Sequence, residues 1–223
     1  MADINVAHRP LSEDVRELLN SFGDKDIPVS ALMERIEDRG FGFILMLVAL
    51  PSGLPIPAAG YSIPFGLVII LLGLQLISGR HVPWIPAFLR KKSIPHSFVS
   101  SFLEKGISVL RFTERFTRPR FTVLTTNHLF RSFFSLFIML MGTSMLIPIP
   151  LTNTAPAFSV FVMGLGLLYA DGLVMALGFC LSLIAGTISL SVLYFTYVIG
   201  LEVGHSLMGF VRYLAGLGPA PWA

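Results

Sequence analysis

Two apolar stretches of this chain are interrupted by the same pattern of prolines, and that repetition limits the possible folds more than any other feature. The first runs Leu54-Pro55-Ile56-Pro57, then Pro64-Phe65, and ends Leu72-Gly73-Leu74 with Gly79 close behind. The second runs Ile147-Pro148-Ile149-Pro150, then Pro156 and Phe158, and ends Leu165-Gly166-Leu167 with Gly172 close behind. A gap-free shift of 93 positions sets Pro55 on Pro148, Pro57 on Pro150, Phe65 on Phe158, Gly73 on Gly166 and Gly79 on Gly172. Upstream, Phe41, Met46 and Leu47 fall on Phe134, Met139 and Leu140. Proline has no amide proton and its ring clashes with the preceding turn, so neither stretch is expected to be one regular helix. The pattern reads as an internal duplication with a non-helical break in each half.

The medium around such breaks follows from composition. Hydrophobic residues make up 54% of the chain and charged residues 13%, with a mean hydropathy of +0.76. A soluble domain carries about 25% charged residues, so the expectation is a membrane protein. In lipid, unpaired backbone cannot face hydrocarbon, so each break must be buried in protein or line a wet cavity. At 223 residues there is room for one domain. The first 39 residues are polar and carry no secretory-leader pattern.

Several chemistries are excluded on residue inventory. Cys180 is the only cysteine, so an internal disulfide and CxxC chemistry are ruled out; it reads as a small apolar helix residue. There is no Ser-His-Asp set and no phosphate-cradling GxxxxGK[ST] run. His8, His81, His96, His128 and His205 lie in polar or interfacial segments without metal spacing. An intramembrane enzyme needs clustered acid, base or metal groups, and the sequence offers none. The expectation is a protein that is not an enzyme and has no cofactor or metal.

Charge is unevenly placed. Residues 1–39 hold five Lys/Arg against nine Asp/Glu, net −4; residues 80–131 hold ten against two, net +8; residues 132–223 hold one against two, net −1. The middle segment carries the orientation signal and is expected in the cytoplasm. Its basic amphipathic helix near 96–117 favours a bilayer with anionic headgroups as partner over nucleic acid.

In chain order, the expected architecture is an all-α polytopic membrane protein. Residues 1–39 form amphipathic surface helices, at 11–22 with Ser12 as cap and at 30–39 with Ser30 as cap. Residues 40–79 are the first membrane repeat. Its apolar run Gly40–Leu50 ends at Pro51, about 15 Å long and half of the hydrocarbon thickness. The break follows, and residues 62–79 are long enough to cross. Residues 80–131 are the basic loop and residues 132–172 the second repeat. Residues 173–200 are a C-terminal spanning helix and residues 201–223 a tail with Trp222 as interface anchor. Two topologies stay open. If each broken element crosses, the N-terminus is cytoplasmic and the C-terminus outside. If they are re-entrant hairpins, the copies are inverted, a recurrent transporter plan, and the N-terminus lies outside.

The stretches RGFGFILMLVALPSGLPIP (39–57) and LLGLQLISGRHVPWIP (71–86) resemble the exopolysaccharide-synthesis ExoD family of bacterial inner-membrane proteins. LSEDVRELL and VSALMERIEDRGFG also fit, so the resemblance covers nearly the whole chain. Its most specific part is Gly79, Arg80, Pro83, Trp84 and Pro86. Ala58-Ala59-Gly60 departs from it, since proline is expected there. The resemblance implies a role in making or exporting bacterial surface polysaccharide from a multi-pass position in the inner membrane. The paired proline breaks are also similar to DedA-type membrane proteins, in architecture alone.

The candidate site is the pair of breaks, where half-helix ends present unpaired amides and partial positive charge to an anionic group. Copy one offers Pro55, Pro57, Ser62, Gln75 and Arg80. Copy two offers Pro148, Pro150, Thr152, Asn153, Thr154 and Asp171. Each has a plainer reading. Gln75 can make a helix–helix hydrogen bond, Arg80 and Asp171 can snorkel at helix ends, and the prolines can kink helices. The expected function is a transporter or flippase for an anionic or lipid-linked carrier. The alternative is a non-transporting accessory or scaffold protein of the polysaccharide machinery.

Overall fold

Helix α1 spans Leu11–Phe22, as expected, but it begins before Ser12, which lies inside the first turn rather than capping it. The computed structural model describes residues 11–22, 26–28, 39–53, 62–80, 82–87, 93–94, 113, 117–147 and 153–214. The prolines at 55, 57, 148 and 150, Thr152 and nearly all of the two expected helices at 30–39 and 96–117 lie outside these residues.

A two-residue antiparallel pairing, β1 (Ile27–Pro28) with β2 (Ser93–Ile94), joins the N-terminal segment to the basic loop. Sequence alone gave no sign of it. Helix α2 spans Gly40–Gly53. It passes through Pro51 instead of stopping at Leu50. In the last turn the proline forfeits only the bond its amide would have made to Leu47, so one more turn survives. Helix α3 spans Ile63–Ile77, with Pro64 in the first turn, where its missing amide is no loss. Gly79, at φ +75°, closes α3: its amide donates to the Leu76 carbonyl and the Arg80 amide donates to that of Gln75.

After a short helix α4 (Val123–Thr126), Asn127 caps α5 (His128–Ser144), its side chain accepting from the Leu129 amide at 2.9 Å. Helix α6 spans Thr154–Leu168, and α7 runs unbroken from Gly172 to Leu214. The expected boundary at residue 200 is therefore crossed by continuous helix.

The helix lengths correct one expectation. Helices α2, α3 and α6 have 14 or 15 residues, about 21–22 Å, against a hydrocarbon core of about 30 Å. None of them reaches that length, including α3, which stops at Ile77 rather than Gly79. Among the described residues one helix, Gly172–Gly204 with 33 residues, is long and apolar enough to cross a membrane.

Close backbone approaches set the packing. A Cβ on Gly42 would lie 2.7 Å from the Gly164 carbonyl and 2.4 Å from the Leu168 amide, so α2 packs antiparallel on α6. A Cβ on Gly66 would lie 2.7 Å from the Gly142 carbonyl, and one on Gly73 lies 2.4 Å from the Met139 side chain, so α3 packs antiparallel on α5. Helix α7 folds back along α6, with Gly166 against Met175 and Gly178 against Met163. Buried between the pairs are Phe41, Leu45, Ile69, Leu76, Ile138 and Met163.

Arg131, in the first turn of α5, settles direction. Its guanidinium lies over the Phe41 ring at 5.4 Å and donates to the Arg80 carbonyl at 2.6 Å. The start of α2, the end of α3 and the start of α5 therefore share one end of the bundle, here termed the base. The ends at 53, 63, 144 and 154 share the other, the tip. The helices run up, down, up, down. Each broken element is thus a hairpin rather than a single interrupted crossing, and both hairpins point the same way. The two hairpins are therefore not inverted relative to each other, contrary to the expectation that hairpins imply inverted copies.

Candidate functional site

The sequence-derived candidates separate onto the two ends of the bundle, a helix length of about 20 Å apart. Gln75, Arg80 and Asp171 lie at the base; Ser62, Asn153 and Thr154 lie at the tip.

At the base, two of the three are committed to holding the chain. Gln75 clasps the backbone of Trp84: its Oε1 accepts from the Trp84 amide at 2.6 Å and its Nε2 donates to the Trp84 carbonyl at 3.3 Å. Gln75 thus spends both ends of its amide on Trp84, in place of the helix–helix bond of the plainer reading, and folds the Pro83–Pro86 segment onto the end of α3. Arg80 is engaged through its main chain, by the Gln75 and Arg131 bonds, while its side chain is exposed.

Asp171 is 1% exposed. Its Oδ1 accepts from the amides of Leu173 and Val174 at 3.0 and 3.3 Å, and its Oδ2 accepts from the Arg118 amide at 3.0 Å. It is the N-cap of α7 and the anchor of the 117–120 segment, buried rather than snorkelling. The turn before it matches the end of α3. Ala170 takes φ +50°, its amide donates to Leu167, and the Asp171 amide donates to Gly166.

At the tip, Ser62 and Asn153 occupy the positions before α3 and α6, and neither side chain caps its helix. Ser62 is buried. Asn153 is half-buried, with its Oδ1 out of solvent and without a hydrogen-bond partner. Thr154 begins α6, half-buried. Beside them Ser52, 3% exposed, also holds its Oγ out of solvent without a partner. Ser144 bonds Ser189 at 2.9 Å, tying α5 to α7 at the same height.

Two residues escaped the sequence reading. Ser52 follows Phe41, Leu45 and Ala49 on one helical face, a polar residue on an apolar stripe, and that signal was available. Arg131 was counted with the loop charge, whereas it lies in the first turn of α5. Among the described residues no group of three or more His, Cys, Asp or Glu is placed to hold a metal ion. The tip offers hydrogen-bonding atoms and helix amides, without an acid–base pair.

The family described as "Exopolysaccharide synthesis, ExoD" matches residues 11–191. An uncharacterized protein of Synechocystis is 34% identical over 205 residues, covering 90% of this chain and 97% of the relative. Protein ExoD of Rhizobium meliloti is 32% identical over 203 residues, covering 89% of this chain and 84% of the relative. No solved structure matches. The long apolar helix and these relatives point to a membrane protein, and the chain belongs to the ExoD family of exopolysaccharide synthesis.

Proposed function

We propose that this protein sits in the bacterial inner membrane and moves an anionic or lipid-linked carrier used in polysaccharide synthesis or export. The observation that carries the reading is the pair of hairpins: helices too short to span alone, joined at a basic base and broken at a shared tip. In this reading the hairpins are re-entrant from the cytoplasmic side and are the two copies of an internal repeat. The carrier engages the tip at the start of α6, which Asn153 does not cap through its side chain. Among the described helices, α7 alone is long and apolar enough to cross the bilayer. The basic base, with Arg80, Arg118 and Arg120 exposed, meets anionic headgroups on the cytoplasmic leaflet.

The test is reconstitution of the full chain in liposomes carrying a fluorescent short-chain polyprenyl phosphate. Protein-dependent movement of the probe between leaflets is expected. Movement equal to that in empty liposomes defeats transport.

One observation favours the second reading, an accessory or scaffold protein. Beyond the tip, α7 exposes Leu190, Tyr194, Phe195, Tyr197, Ile199 and Leu201 on all sides. Such a helix offers a docking surface to membrane partners. Retention of the polysaccharide machinery by a transport-inactive protein, lost on truncation after residue 189, supports that reading.

A further inference from the structure

The two halves share a packing plan but differ chemically at their tips. Gly73 meets Ser135 and Met139, while Gly164 meets Gly42 and Met46. The first helices of the halves thus correspond by a shift of 93 and the second helices by a shift of 91. The positions before α3 and α6, Ser62 and Asn153, obey the second shift. Two residues are therefore gained or lost within the break. The gap-free alignment that set Gly73 on Gly166 holds only for the helix before it.

With this correspondence the tips can be compared residue by residue. Where α5 ends against α3, the position is Met145, fully buried and apolar. Its counterpart in α2 is Ser52. The antiparallel contacts that bring Gly42 to Gly164 and Leu168 carry Ser52 opposite the first turn of α6, near Pro156. The residue before α6 is Asn153 where that before α3 is Ser62, and Thr154 stands where α3 has Ile63. So one tip is filled by a methionine, and the other gathers a hydroxyl and an amide oxygen, both buried and both without a hydrogen-bond partner. Buried polar atoms left unmade are costly, and a folded chain retains them where something else completes them. Asn153 does not cap α6 through its side chain, and of the first three helix residues Thr154 and Ala155 carry amides while Pro156 has none.

We propose that the corner between α2 and α6 is a binding site for a phosphate group and that the α3–α5 tip is not. The Ser52 and Thr154 hydroxyls and the first amides of α6 donate to phosphate oxygens. The Asn153 side chain accepts from the protonated oxygen of a monoanion, or donates with its amide turned over. The proposal rests on the transport reading only for the source of the phosphate, a lipid-linked carrier rather than the free ion.

The test uses the full chain in nanodiscs with three probes: farnesyl phosphate, farnesol and inorganic phosphate. Farnesyl phosphate is expected to bind and farnesol to fail. Ser52→Ala is expected to weaken farnesyl phosphate binding about ten-fold or more. The same change leaves the ligand-free melting temperature unchanged or raises it, because it removes an unpartnered hydroxyl. Ser62→Ala, at the counterpart of Asn153 in the other half, shifts binding by less than about two-fold. Competition by inorganic phosphate supports recognition of the phosphate group itself; its absence, with farnesyl phosphate still bound, supports a lipid-borne source. Equal binding of farnesol, or wild-type binding by Ser52→Ala, overturns the site. Ser52-dependent binding without leaflet exchange in liposomes keeps the site and removes transport; leaflet exchange intact in Ser52→Ala does the reverse.

Discussion

A carboxylate at a helix start and an amide at a helix end were both open to a ligand-binding reading, and the structure spends both on backbone. Asp171 accepts three amides from two segments. Asp171→Ala is expected to destabilise by about 1–3 kcal/mol, read as a lowered melting temperature in detergent. Asp171→Asn retains a good cap and is expected to recover much of the loss. Normal melting of both variants with lost polysaccharide output would restore a ligand role. Gln75 makes two bonds to one residue, Trp84. Gln75→Ala is expected to leave the bundle intact while speeding amide exchange at Trp84, since each lost bond is worth about 0.5–1.5 kcal/mol. Unchanged protection at Trp84 would show that the clasp carries no weight.

At the level of helices, glycine does two different jobs along this chain. A Cβ at Gly42 would fall 2.4 Å from the Leu168 amide and 2.7 Å from the Gly164 carbonyl, backbone atoms that cannot swing aside. Gly42→Ala is expected to separate α2 from α6 and cost about 1–3 kcal/mol. A Cβ at Gly200 meets nothing within 4 Å. Gly200→Ala is expected to gain about 0.5–1 kcal/mol from helix propensity alone. Unfolding followed by loss of helical signal in a denaturing detergent orders the two; equal effects would mean that the close approach is not what holds the pair.

For the whole molecule, the base-to-tip polarity makes orientation testable. In a Cys180→Ser background, Arg120→Cys is expected to resist a membrane-impermeant thiol reagent in intact cells, and Met208→Cys is expected to react. The reverse pattern would place the basic base outside. The same polarity separates what residues foretell from what folding adds. Helical class and the proline-bounded arms at 40–53 and 63–77 were legible from composition and spacing, because each depends on local backbone chemistry. The pairing of α2 with α6 and of α3 with α5 was not. All four helices are apolar on more than one face, so periodicity names no partner. Their register is decided where glycines let two backbones approach, Gly42 with Gly164 and Gly66 with Gly142, across more than a third of the chain. That contact alone made the hairpins point the same way. It also parted Gln75, Arg80 and Asp171 from the tip, and brought Ser52, which shows in the sequence only as a polar interruption, opposite the first turn of α6.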